Sequence, residues 1–310
     1  HDTKRSEDVR ARLHVLSELA HEWGQALARW SRWNRPRKKL VGGALVPTPA
    51  EEMLLYQTLV GVFEEGEPIA ERVKAYVLKA AREAKVHTSW TAPSAPHEAA
   101  LLGFVDAILE PGKFLRELGR FAARVAFYGA FGSISQVVLK IGSPGVPDFY
   151  QGTELLDLSL VDPDNRRPVD FDTRRKMLGE LTGPPASNDP GRVKLFVTSR
   201  ALAFRKERRE LFLEGEYLPL EVKGPLGSHV CSFARRRGEE WAIVAAPRLL
   251  AGLVPVGRFP VGRGVWGSGQ ITLPALAPRA WRNVFTGEGI RGRLSLERVF
   301  ATFPVALLAA

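Results

Sequence analysis

A chain of 310 residues, 45% hydrophobic and 25% charged, has the length for more than one folding unit and the composition of ordinary globular material. Its lone cysteine, Cys231, excludes an intrachain disulfide and a cysteine-based zinc site, and suits a reducing cytoplasm. The formal net charge of +10 sets up a field that attracts polyanions without defining a site for one, and the most apolar tracts are interrupted by residues such as Lys140, Gly142 and Pro144, which argues against a membrane partner.

From Ser6 onward, Val9, Leu13, Leu16, Ala20 and Trp23 recur at three- and four-residue spacing, with Ser6 placed to cap and Glu7 and Asp8 near the positive helix end, which predicts an amphipathic helix. Residues 34 to 49, rich in Pro, Gly and Lys/Arg, read as a mobile loop. Further helices are expected from about Glu51 to Phe63, Ile69 to Lys85, Glu98 to Leu109 and Phe114 to Ile134. At Ser143-Pro144-Gly145-Val146-Pro147 the periodicity gives way to a turn. A short apolar segment, Asp148-Phe149-Tyr150, then reads as a strand feeding a polar, Asp-rich functional loop that reaches Asp172. A helix from about Arg192 to Glu210 precedes alternating segments at Leu218–Val222, Val230–Phe233 and Trp241–Val244, so the last hundred residues read as antiparallel β.

The most specific stretch is Gly145-Val146-Pro147-Asp148-Phe149-Tyr150-Gln151-Gly152-Thr153-Glu154, continued by Leu158-Ser159-Leu160-Val161-Asp162-Pro163-Asp164-Asn165-Arg166-Arg167-Pro168-Val169-Asp170. Its first half resembles the segment at the eighth strand of the (β/α)8 barrel of the α-amylase family, glycoside hydrolase family 13. Its second half is similar to maltooligosyltrehalose synthases in particular. The opening His1-Asp2-Thr3-Lys4-Arg5 resembles the same synthases, in which a His-Asp pair ends the seventh barrel strand. Leu54–Gly61 and His87-Thr88-Ser89-Trp90-Thr91 look like the helical insertion these enzymes carry.

The resemblance implies an α/β fold: the C-terminal portion of a (β/α)8 barrel with a large helical insertion, then an antiparallel β-sandwich. Residues 1–12 would end strand 7 and start the next helix, 13–135 form the insertion, 136–212 supply strand 8, the substrate loop and the last helix, and 213–310 form the sandwich. It implies an enzyme that moves the reducing-end α-1,4 linkage of a maltooligosaccharide to α,α-1,1, without a cofactor. Asp2 resembles the auxiliary carboxylate that favours the distorted, positively charged ring, and His1 would donate to a hydroxyl of the same sugar. Asp162 and Arg166 resemble the pair that holds a glucose through charge-assisted hydrogen bonds. Lys4 and Arg5, by adjacency, are candidates to hold the glucose that leaves and attacks again. In this family the nucleophile and the acid/base sit on strands that would precede His1. The chain therefore reads as a piece that begins mid-protein, inactive without its N-terminal barrel portion.

Other readings stand beside this one. A different α-amylase-family hydrolase or transglycosylase would share the barrel chemistry and differ in product. Arg29-Trp30-Ser31-Arg32-Trp33, with Arg35, Arg37, Lys38 and Lys39, interleaves aromatics with cations as single-stranded nucleic-acid binders do. The same residues suit a helix end with Trp in the core, no recognised module accompanies them, and a nucleic-acid partner is not expected. His14, His21, His87, His97 and His229 lack ligand spacing, so no metal is expected. Glu154 and Tyr150 are read as holding their loop in place, not as touching sugar.

Overall fold

Ser6 starts the first helix as its residue type requires: its hydroxyl accepts from the Val9 N–H at the end of α1 (Glu7–His14), whose first turn carries Glu7 and Asp8. The computed structural model describes residues 5–185, 189–267 and 269–310; the predicted site residues His1, Asp2 and Lys4 lie outside them. The helix expected to run on to Trp23 is broken by a 3-10 turn at Val15–Ser17, after which α2 (Ala20–Asn34) begins. The Ser17 hydroxyl donates to the His14 carbonyl (2.8 Å), a local bond that competes with the helical ladder. The break still leaves Val15, Leu16 and Leu19 buried.

Residues 34 to 49 are not the mobile loop expected of their composition. They form a 3-10 turn at Arg35–Arg37 and a hairpin, β1 (Lys39–Val41) on β2 (Ala44–Val46). The glycines are turn chemistry: Gly42 and Gly43 take φ of 57° and 84°, the pair of positive values that a two-residue hairpin turn needs. Lys38, at the hairpin's entry, donates to the Pro47 carbonyl (3.0 Å) and pairs with Glu52 (2.7 Å).

Three helices follow, α3 (Pro49–Val62), α4 (Ala70–Ala84) and α5 (Ala95–Leu109). Thr48 and Glu51 close a reciprocal capping box on α3, which fixes its start. The core is aromatic. Trp30 is fully buried and meets Tyr56, Phe114 and Phe121 edge-on, with ring centres 5.6, 5.5 and 5.7 Å away.

The sixth helix, α6 (Lys113–Gly142), runs eight residues beyond the expected end at Ile134. It is long and apolar enough to cross a membrane, yet 67% of its most apolar window is buried within the protein, as in a core helix. The chain divides into two units, the first reaching Phe127 and including Leu158–Arg167, the second comprising Tyr128–Asp157 and Pro168–Ala310. In the first, α6 contributes Phe114, Leu118, Ala122 and Val125 to the core at helical spacing; in the second, Ile134, Val137, Val138 and Ile141.

The second unit continues with an irregular segment over residues 143–157. No strand forms at Asp148–Tyr150, contrary to expectation. A strand exists only against a hydrogen-bonded neighbour, and none is offered to this segment among the described residues. The helices α7 (Phe171–Glu180), α8 (Pro190–Glu207) and α9 (Arg209–Leu213) follow, the first two capped by Asp170 and Asp189.

The remaining strands are β3 (Glu216–Pro219), β4 (Val222–Lys223), β5 (Val230–Arg237), β6 (Glu240–Pro247), β7 (Gln270–Ile271), β8 (Ala280–Asn283), β9 (Gly289–Arg291), β10 (Leu294–Ser295) and β11 (Ala306–Ala309). They form a six-stranded sheet in the order β3-β5-β6-β11-β8-β9 and a three-stranded sheet β10-β7-β4, antiparallel throughout as expected. A two-residue turn with Gly238 at φ 60° joins β5 to β6 and sets the register Arg237 to Glu240 and Phe233 to Val244. The unit's core gathers Val138, Val197, Phe233, Val244 and Leu307 from helix and sheet alike.

Candidate functional site

The segment 158–167 has little regular structure of its own, a single 3-10 turn at Asp164–Arg166. That turn brings the two predicted sugar-binding residues face to face. Arg166 donates through Nε to Asp162 Oδ1 (3.0 Å) and through Nη2 to Oδ2 (2.7 Å), a two-pronged pair open to solvent. The hydrogen bonds from Arg166 hold the Asp162 carboxyl below its ordinary range. A paired, planar array of donors and acceptors is suited to adjacent sugar hydroxyls, which need both.

Beneath this pair lies a second one that the sequence did not reveal. Asp164 is largely buried and accepts from Arg72 on α4 at both oxygens, from Nε at 2.8 Å and Nη2 at 2.9 Å. The same Nη2 donates to the Leu158 carbonyl (2.7 Å), while Asp164 also accepts the Leu160 N–H (2.7 Å). Burial raises the Asp164 pKa, but the bonds from Arg72 and Leu160 and the charges of Arg72 and Arg167 outweigh it, so the carboxyl lies below its ordinary range. Lys79, also on α4, donates to the Asp162 carbonyl (3.0 Å). Nothing in the sequence marked Arg72, because its partner is 92 residues away and a helical arginine reads as a solvent-facing charge.

Arg5 reaches the same segment by its backbone, through a bridge to Leu160 beside the Ser6 N–H···Ser159 carbonyl bond (2.9 Å). Its guanidinium donates to Thr58 (2.9 Å) and lies over the Tyr76 ring (5.5 Å). The structure therefore brings Arg5 into one unit with Asp162 and Arg166.

In the second unit Gly152 takes φ 92°, with Val169 close to where a Cβ would stand. Arg174 donates to the Gly152 carbonyl (2.8 Å) and to Glu154 (3.0 Å), so Glu154 holds its loop in place.

The cation-rich stretch at 29–39 keeps Arg32, Arg35 and Lys39 exposed but turns one of its aromatics inward. Trp30 is buried, so its faces are closed to a nucleobase; Arg29 pairs with Glu117, Lys38 with Glu52, and Lys113 lies over Trp33. His97 pairs with Glu51 (2.7 Å) and stacks on His87. Among the described residues no cluster of His, Cys, Asp and Glu is placed to hold a metal ion.

A helical unit that grips a charged loop, sharing its longest helix with a unit of antiparallel sheets, defines a mixed α/β protein. The same architecture is found in trehalose-synthase homologues. The structure of maltooligosyltrehalose synthase from Arthrobacter ramosus superimposes with a TM-score of 0.81 at 35% identity, covering 99% of this chain and 37% of that one. A hypothetical maltooligosyl trehalose synthase from Sulfolobus tokodaii gives a TM-score of 0.74 at 31% identity over 100% of this chain and 38% of its own. A Mycobacterium tuberculosis protein assigned as a maltooligosyl trehalose synthase is 36% identical over 99% of this chain and 36% of its own length. No family model matches the chain. Over essentially its whole length the chain is a homologue of the maltooligosyltrehalose synthases, and it spans little more than a third of the relatives it matches.

Proposed function

We propose that this chain is part of an enzyme that converts the reducing-end α-1,4 linkage of maltooligosaccharides into an α,α-1,1 linkage, forming a terminal trehalose unit. The observation that carries the reading is identity of 35–36% over 99% of the chain to synthases of this kind, and the solvent-open Asp162–Arg166 pair fits it. In this reading residues 1–12 and 136–212 complete a (β/α)8 barrel built mainly by the rest of the polypeptide, residues 13–135 are an insertion, and 213–310 form a β-sandwich.

Asp162 and Arg166 hold one glucose ring by its hydroxyls. Asp2 steadies the positive charge that develops on the ring whose bond is broken, with His1 donating to the same sugar. Lys4 and Arg5 retain the freed glucose until its anomeric hydroxyl attacks the glycosyl centre it has just left. One glycosidic bond breaks and one forms, so no water is consumed. The nucleophile and the acid/base come from the rest of the polypeptide, and the chain alone has no activity.

The test uses the whole polypeptide with maltopentaose, following reducing ends and free glucose. Loss of reducing ends with little glucose, abolished by Asp2→Asn, supports the reading. A rise in reducing ends identifies a hydrolase on the same scaffold and overturns it.

A further inference from the structure

An ion pair as exposed as Asp162–Arg166 is worth little by itself and does not hold a short loop in one shape. The segment that carries it gains its shape from α4. Arg72 and Lys79 lie two turns apart on one face of that helix, and both reach the segment. Through Asp164 and its own Nη2, Arg72 ties together the start of the segment at Leu158, the backbone at Leu160 and the turn at Asp164. Lys79 takes the carbonyl of Asp162 itself.

Asp164 and Arg72 are mostly shielded from water, with side chains 10% and 22% exposed, whereas Arg166 is 67% exposed. The shielded pair is the firm one, and the open pair stands on it. The fork geometry matters: a guanidinium engages both carboxylate oxygens and a carbonyl in one plane, which a lysine ammonium does not reproduce.

We propose that Arg72 is a positioning residue for the Asp162–Arg166 pair, acting through Asp164 to present that pair to a glucose ring in one fixed orientation. The inference rests on the sugar-holding role given to the pair above. It assigns the helical region an active part in substrate binding, as the anchor of the sugar-binding loop.

The experiment is a double-variant cycle on the whole polypeptide with maltopentaose. Arg72→Lys is expected to raise KM about tenfold, the size of a lost charge-assisted contact, with kcat nearly unchanged. Asp162→Ala raises KM as well, and the double variant is no worse than Asp162→Ala alone, because Arg72 acts through the pair. Asp164→Asn, which removes the carboxylate without shortening the side chain, follows Arg72→Lys and keeps the test open if that variant folds poorly. Additive effects overturn the positioning role, as does a wild-type KM in both Arg72→Lys and Asp164→Asn while Asp162→Ala is impaired. A wild-type KM in Asp162→Ala defeats the sugar-holding reading itself, and the positioning role falls with it.

Discussion

The two units use their buried cations differently. In the helical unit the shielded cations meet carboxylates, Lys38 with Glu52, Arg82 with Glu98, Arg72 with Asp164, and the buried Arg12 adds the Gly61 and Phe63 carbonyls to its Glu64 partner. In the sheet unit the buried Arg235 meets backbone carbonyls instead, donating to Phe212 (3.1 Å), Gly215 (2.7 Å) and Glu216 (3.3 Å). The contrast follows from the backbone. Helices satisfy their own peptide groups internally, so links between one helix and the next fall to side chains, and charged pairs give them direction. Strands are joined by their ladders, and what remains is a few loose carbonyls at a turn, which one arginine fork closes.

The largest expected effect is on the side where charge meets charge. Glu52 accepts from Lys38 (2.7 Å), Tyr56 (2.8 Å) and Ser31 (3.1 Å), so Glu52→Ala leaves a buried ammonium without its counter-charge, with only the Pro47 carbonyl to accept from it. Denaturant unfolding of the chain is expected to show a loss of about 3–5 kcal/mol. A loss under about 1 kcal/mol, the range of exposed pairs, would mean that the link is superficial and the contrast false.

Arg235→Met is expected to lose somewhat less, about 2–3 kcal/mol, since a side chain of similar length keeps the packing while the carbonyls lose their donor. Because carbonyls do not titrate, the loss is expected to be equal at neutral and acid pH. A loss that shrinks in acid would show a carboxylate at work in the sheet unit as well.

The smallest effect sharpens the comparison through pH. Hydrogen bonds from Arg82, then from Thr88, outweigh desolvation and hold Glu98 down at about 2 from 4.5. A depressed carboxyl stabilises the fold above its unfolded pKa and loses that contribution as the pH falls through the folded one. The contribution is therefore complete above pH 4.5 and disappears toward pH 2. Glu98→Gln is expected to flatten the acid limb of the stability profile in that window, and an unchanged limb would count against the pair.

Much of this was legible in the sequence because it is local. Ser6 is a capping residue by chemistry, and the helices that begin after it, near Glu51 and near Arg192 lie where periodicity puts them, whereas α7 falls where only a polar loop was expected. Asp162 and Arg166 are four residues apart, and one 3-10 turn suffices to join them. The composition of residues 34–49 misled because Gly-Gly and Pro serve a tight hairpin as well as a loop. The expected strand at Asp148–Tyr150 failed because pairing depends on a neighbour, which a strand's own residues do not supply.

What the sequence by itself determined is therefore the helical and antiparallel halves, the charged loop with its pair, and the resemblance that its motifs carry. What only the tertiary structure decided is which of the loop's carboxylates faces water and which is gripped from α4. Asp162 and Asp164 are the same residue type two positions apart. Their environments differ because Arg72, 92 residues away, lies within reach of one and not the other. Such partners are chosen by packing, which no local spacing records.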